Sequence, residues 1–412
     1  MKNCLHSQQS KYIKNPKYTI KQILLSGHSW WKFHQKHKNK IRPSIVTAVV
    51  KLLSCKNTIR GYRIYECSNK NCSHTKIIPH TCKSKACSSC GKKATERWLN
   101  TQNRILPDTA WQHITFTMPS ELWDFFWLNR TLLNQISKIA AECIKNIASK
   151  KNVTPGIFTA IHTFGRNLKR NVHVHLSTTC GGISKDTKIW KNLFFVQSIL
   201  MQLWRYQIIK LFHNANAKGQ LNIPEAISQQ LNDNFTFNNF LDHLYKKRWI
   251  VHCAKKSFVY KKIIEYLSRY IKRPAIAESK LKHYDGYEVT FRYLDHKTKT
   301  HKNFTLNIEQ FIARFIQHIP DEGFRMIRYY GFLANRVRKK LLPAVYELIG
   351  QKEPYTTKAP TYAELIKKNF GFDPLACILC GQQLIFTGVN FGKSNANNLI
   401  TFHSELALCE IY

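Results

Sequence analysis

Acidic residues are scarce in this 412-residue chain: 24 Asp and Glu stand against 64 Lys and Arg, a formal charge of +40. Self-repulsion of that size works against a compact state, so a polyanionic partner is its simplest cause. A lysine-biased genome is the bland alternative, and it leaves the shortage of acid unexplained. Long apolar runs are also missing. Nothing approaches the roughly 18 consecutive apolar residues of a membrane span. The polar start MKNCLHSQQSKYIKN has no apolar centre of the kind an export signal carries. No basic amphipathic segment stands apart as an anchor, so nucleic acid outranks a membrane surface as partner, and a cytoplasmic location is expected. There is no GxxxxGK[ST] loop for nucleotide phosphates, no internal repeat and no low-complexity linker.

Cysteine, by contrast, is plentiful. Thirteen residues, an odd number in a chain read as cytoplasmic, argue against a disulfide framework. Five of them crowd into ECSNKNCSHTKIIPHTCKSKACSSCG, a density that asks for a metal. Zn²⁺ takes four sulfur or nitrogen ligands in a tetrahedron, and close pairs on tight turns supply them without a large core. The preferred set is Cys67, Cys72, Cys87 and Cys90, with Cys82 as the main rival and His74 and His80 also in reach. Four thiolates leave no open position, so such a zinc is structural and serves to dock DNA. A second pair, Cys377-Ile-Leu-Cys380-Gly381, lies near the C-terminus with His403 and Cys409 downstream, and fits either another zinc or two free thiols.

A chain of this length, 43% hydrophobic, divides into two or three domains. Strand-like runs joined as hairpins mix with helical stretches, which points to an α+β fold rather than a doubly wound parallel sheet. SIVTAVVKLLSC and residues 93–105 read as helices, WQHITFTMP as a strand. A helical pattern opens at Pro119 and Ser120 and runs to about residue 149. GIFTAIHTFG and NVHVHLSTTC form a hairpin across RNLKR. Another helix is expected over about 188–213, WIVHC is a strand, and YEVTFRYLDHKTKTHKNFTLNI is a second hairpin. After Pro320 the chain reads as basic and helical. The expected partition is 1–110, a basic region with the cysteine cluster; 111–340, a catalytic domain; and 341–412, a tail.

Two histidines two apart fall by chance about once among 18 in 412 positions, so their context has to carry the meaning. On a strand, residues i and i+2 share a face, so His173 and His175 present two imidazoles to one ion while Val174 and Leu176 point to a core. His162, on the other strand of the hairpin, offers a third; His252 in WIVHC is the fallback. Three nitrogens leave positions open for a phosphate oxygen. The glycines that follow, Gly181 and Gly182, read as a plain turn or as a close approach to phosphate. Downstream, Tyr266 and Tyr270 stand one helical turn apart in EYLSRY. They border an apolar stripe of Ile263, Ile264, Leu267 and Ile271, with Lys262, Arg269 and Arg273 on their other flank. Nearby cations stabilise a phenolate that is otherwise rare at neutral pH.

The HxH strand, the Tyr-x-x-x-Tyr helix and the cysteine cluster together resemble the two-tyrosine HUH transposases of rolling-circle bacterial insertion sequences, the IS-ninety-one family. The resemblance runs from YECSNKNC and TCKSKACSSCGKK through HTFGRNLKRNVHVHLSTTCGG and EYLSRYIKRPAIAESKL to HIPDEGFRMIRYYGFLANR. It implies a central antiparallel sheet with flanking helices, behind a cysteine-rich zinc-binding domain. Mg²⁺ or Mn²⁺ is then held by His173 and His175, with His162 as third ligand, and Tyr266 and Tyr270 are the nucleophiles. The substrate it implies is DNA, chiefly single-stranded ends of the protein's own element and target DNA, within the bacterial nucleoid. Lys262, Arg269, Arg273, Arg325, Arg328 and Arg336 are the candidate phosphate contacts. The gap of four residues between Cys67 and Cys72 is wider than the family's two. Two rivals remain: a zinc-dependent nucleic-acid-binding regulator without catalysis, and a metal-dependent nuclease that uses water.

Overall fold

The structure, a computed structural model, describes residues 17–259, 263–265, 267–268, 273–295, 298–352, 361, 363–364, 366–367 and 371–392. Its strands are β1 (Tyr62–Cys67), β2 (Thr75–Pro79), β3 (Trp111–Phe116), β4 (Val153–Phe164), β5 (Arg170–Ser184), β6 (Trp190–Asn192), β7 (Val251–Cys253), β8 (Leu281–Tyr284), β9 (Glu288–Leu294), β10 (His301–Asn307), β11 (Ile327–Gly331) and β12 (Leu384–Asn390). Every strand pairing is antiparallel and the strands alternate with helices, an α+β fold. The chain forms two compact units. One gathers Met1–Lys92, Arg273–Pro320 and Thr356–Tyr412, the other Lys93–Lys272 and Asp321–Tyr355. Among the described residues, no helix is long and apolar enough to cross a membrane.

In the second unit the strands follow the order β11-β4-β5-β3-β7, with β6 paired to the far end of β5. Alternation sets which side chains go where. Ile114, Phe116, Ile157, Ile161, Val172, Val174 and Leu176 all turn to one face, where they are buried with the apolar sides of the helices Arg130–Ser149 and Gln197–Ala217. Each such burial is worth about 1.5–3 kcal/mol. A one-residue slip would turn the whole set to the opposite face, so the register is strongly held. The residues between them, His173 and His175 included, are thereby committed to the other face. There Trp111, Phe158 and Ala160 join a second buried cluster with Phe332, Leu333, Val345, Tyr346, Ile264 and Leu267.

Three local expectations differ from what the chain does. The helical run from Pro119 is interrupted at Asn129 (φ −106, ψ 66), between helices Trp123–Leu128 and Arg130–Ser149. The buried Asn129 amide donates to the carbonyls of Phe125 and Asn222 and accepts from the Asn222 N–H, a bond set that a continuous helix would forfeit. The helix expected from about 188 begins only at Gln197, because Trp190–Asn192 is drawn into pairing with β5. The basic stretch after Pro320 contains β11 before its helix, Asn335–Leu348.

Gly181 and Gly182 make neither a turn nor a phosphate cradle. Both lie within β5, where a Cβ on Gly181 would sit 2.5 Å from the Trp190 indole nitrogen and one on Gly182 would sit 2.3 Å from the Thr154 carbonyl oxygen. They are small because neighbours press against the strand.

The first unit holds two three-stranded sheets, β12-β1-β2 and β10-β9-β8. The helix Pro43–Leu53 starts with proline at its first position, where the missing N–H costs nothing, and buries Ile45, Val49, Val50, Leu52 and Leu53. It ends two residues before Cys55. The hairpin β9/β10 leads into the helix Ile308–Ile316, capped by the Asn307 side chain on the Gln310 N–H, and Phe291, Phe311 and Phe315 are buried there.

Candidate active site and cysteine clusters

β4 and β5 bring three imidazoles together. His162 lies directly opposite His173 in the ladder, and His175 lies opposite Ala160 on one side and Thr115 on the other. The nearest ring nitrogens of His162, His173 and His175 all fall within 4.8 Å of one another. The Nε2 atoms of His173 and His175 are 3.2 Å apart. His162 and His175 are buried, with ring centroids separated by 4.4 Å. His252, on β7, pairs opposite Thr115 and stands outside this trio.

The surroundings fix which nitrogen of each ring is available. His173 Nδ1–H donates to the Asn171 carbonyl at 2.9 Å, which leaves Nε2 with its lone pair. His175 Nδ1 faces His113 Nε2 at 3.0 Å, and His113 Nδ1 in turn lies 3.2 Å from Ser177 Oγ. With the His175 Nδ1–H donated to His113, the two facing Nε2 atoms carry lone pairs toward each other, an arrangement satisfied by a shared cation. Burial holds His173 down to about 4. It does the same to His113, to about 4, with His252 adding repulsion. His175 is held well below its ordinary value by burial and then by its two histidine neighbours. The rings are therefore neutral at physiological pH, the form in which imidazole binds metal. An all-imidazole donor set suits a first-row divalent ion with vacant positions. His113 escaped sequence reasoning, since only its alternation in WQHITF marks it and its pairing with β5 is 64 residues away.

Tyr266, Tyr270, Lys262 and Arg269 lie outside the described residues. Their segment is represented by residues 263–265 and 267–268, which are helical. Ile264 and Leu267 are 1% exposed and belong to the buried cluster that includes Trp111, Phe158 and Ala160. Those three share strand faces with His113, His162 and His175, so this helical segment packs on the histidine side of the sheet. Tyr329 packs in the same cluster, and its hydroxyl accepts from the Trp98 indole N–H at 3.1 Å. Arg325 and Arg336 are exposed, Arg273 is half-buried, and Arg328 donates to Asn134 Oδ1 at 2.7 Å.

Eight of the described cysteines sort into two quartets rather than the single expected tetrahedron of Cys67, Cys72, Cys87 and Cys90. Cys82, Cys87 and Cys90 meet Cys55, all four buried; Cys67 and Cys72 meet Cys377 and Cys380. The cause is topological. Cys67 and Cys72 sit at the end of the β1/β2 hairpin nearest the start of β12, whereas Cys87 immediately precedes the helix Ser88–Ile105 and Cys90 lies in its first turn, grouped with Cys55 just after Pro43–Leu53. In the buried quartet the sulfurs of Cys82 and Cys90 are 3.5 Å apart, and those of Cys55 and Cys87 are 3.7 Å apart. Cys55 was missed because it stands twelve residues before the cluster, as the last letter of an apolar helix motif.

Comparison with known proteins gives two family matches. A model described as "Putative transposase" matches residues 156–340, and one described as "Transposase zinc-binding domain" matches residues 26–118. Over 382 residues, 92% of each chain, the sequence is 37% identical to the "Transposase for insertion sequence element IS801" of Pseudomonas savastanoi pv. phaseolicola. It is 28% identical over 345 residues to the "Putative transposase y4qJ" of Sinorhizobium fredii, covering 81% of this chain and 86% of that one. No solved structure matches.

Proposed function

The chain belongs to the IS-ninety-one family of insertion-sequence transposases, and from that premise we propose that it nicks and rejoins single-stranded DNA at element ends by tyrosine attack. The observation that carries the reading is the convergence of His162, His173 and His175 on the sheet face against which Ile264 and Leu267, the near neighbours of Tyr266, are buried. His173 and His175, with His162 as third ligand, are the residues that would hold Mg²⁺ or Mn²⁺. When bound, the ion withdraws charge from the scissile phosphate.

The protein's own part is positional and nucleophilic. The phenol oxygen of Tyr266 or Tyr270 forms a bond to phosphorus, the bond from phosphorus to the 3′ oxygen breaks, and the proton lost by the phenol is balanced by one gained at the released 3′-hydroxyl. The product is a 5′-phosphotyrosine, which conserves the phosphodiester energy, so the reverse attack by a 3′-hydroxyl rejoins DNA without ATP. A second tyrosine one helical turn away allows another strand to be cut while the first remains attached, as rolling-circle transfer needs. Arg325 and Arg336, exposed, and Arg273 and Arg328 are phosphate contacts in this reading, with Lys262 and Arg269. Zn²⁺ on Cys55, Cys82, Cys87 and Cys90 stabilises the N-terminal part.

Incubation of the purified protein with single-stranded element ends and Mn²⁺ should give a denaturation-resistant DNA adduct, mapped after trypsin to the peptide bearing Tyr266 or Tyr270. The Tyr266→Phe/Tyr270→Phe double variant should lose both adduct and cleavage, and so should His173→Ala. Cleavage that survives the double substitution would assign the chemistry to water, and DNA binding with no cleavage at all would make the protein a regulator.

A further inference from the structure

We infer a second, separate metal site: Cys67, Cys72, Cys377 and Cys380 hold a structural Zn²⁺ that fastens the C-terminal strand β12 to the N-terminal hairpin β1/β2. Cys377 and Cys380 lie outside both family matches, which end at residues 118 and 340. The inference stands apart from catalysis and rests on geometry alone. β1 pairs with β12 from Tyr62 opposite Asn390 to Cys67 opposite Leu384, so the ladder delivers the Cys377-x-x-Cys380 turn to the end of β1. There Cys67 Sγ lies 3.3 Å from Cys380 Sγ and Cys72 Sγ lies 3.8 Å from Cys377 Sγ, with all four sulfurs within 4.8 Å.

The local backbone is arranged around sulfur. Gly381 adopts φ +76, a left-handed turn natural to glycine, and its N–H closes on the Cys377 carbonyl at 2.9 Å. In the buried quartet Gly91 N–H closes on Cys87 in the same way, at 2.8 Å, so the two Cys-x-x-Cys-Gly turns share one closing bond. Backbone N–H groups of Asn69 and His74 donate to Cys67 and Cys72, and those of Leu379 and Cys380 donate to Cys377.

Apolar burial does not account for the convergence. Between the two cysteines, Ile378 is 79% and Leu379 69% exposed, and Ile385 and Phe386 of β12 are also half exposed. A loop and a three-stranded sheet with so little core need a staple, and four thiolates in tetrahedral reach select a thiophilic ion with no open coordination position.

Metal counting on the full-length protein, prepared without chelator, tests this. Two zinc ions per chain are expected, and Cys377→Ser/Cys380→Ser should retain one. Replacement by Co²⁺ should show thiolate charge-transfer absorption for two all-sulfur sites, halved in that variant. A chromophoric chelator should withdraw one ion quickly, from the quartet with the exposed Cys380, and the other slowly, with the quick phase absent from the double-serine protein. Should the serine variant fail to fold, Cys377→His/Cys380→His keeps two ligands and should restore two zinc ions with weaker sulfur absorption. A single zinc in the wild type, an unchanged count in the folded serine variant, or disulfides found among these four residues would overturn the site.

Discussion

His113 shows how a ring beside the His162, His173 and His175 trio bears on its geometry. Its ring stacks on His175 with centroids 5.1 Å apart, and its Nε2 lies 3.0 Å from His175 Nδ1, a hydrogen bond that couples the tautomers of the two rings. Partners of this kind typically change metal affinity by about 10–100-fold when removed. His113→Phe is therefore expected to weaken Mn²⁺ binding by about that factor, followed by electron paramagnetic resonance titration, while His173→Ala removes binding altogether. Equal affinity in His113→Phe and wild type would reduce the ring to packing. Sequence reasoning reached His162, His173 and His175 because a hairpin's register follows from local alternation. It stopped short of His113 because the β3–β5 pairing is non-local, and short of Cys55 because a cysteine at the end of an apolar helix looks like core.

Among the elements, the β4/β5 hairpin sets the register of the site, and the outer strand β11 is seated on it at one tight point. Gly331 has φ +61, and a Cβ there would lie 1.7 Å from the Pro155 carbonyl oxygen. Backbone cannot yield as a long side chain does, so Gly331→Ala should cost about 1–3 kcal/mol or more and lower the midpoint of thermal unfolding by several degrees. Asn129→Ala breaks the three hydrogen bonds that the buried Asn129 side chain makes at the helix interruption and leaves the Asn222 carbonyl and N–H without that partner. A loss of about 1–3 kcal/mol in urea unfolding is expected. The hairpins and the long helices were legible from periodicity. The interruption at Asn129, the short β6 and the arrival of β11 were not, because each is decided by a distant partner: Asn222, the end of β5 and the edge of β4.

For the whole molecule, the charge of +40 is the property most readily measured. If it serves single-stranded DNA, displaced counterions make binding steeply salt-dependent, with a loss of about tenfold or more in affinity between 50 and 200 mM salt. A flat response in a fluorescence anisotropy titration would instead leave the lysine excess as genome bias. Composition and spacing conveyed the α+β class, the polyanionic partner and a cysteine-bound metal. They did not convey that the quartets are assembled from such separated positions, since no local pattern joins Cys67 to Cys380. That separation, 313 residues, also orders events during synthesis. The hairpin β1/β2 leaves the ribosome long before β12 exists, so it must wait without its third strand. At ordinary rates of translation the wait is on the order of tens of seconds. A nascent chain, or one cut short before β12, therefore carries an unfinished N-terminal sheet with two unclaimed thiols.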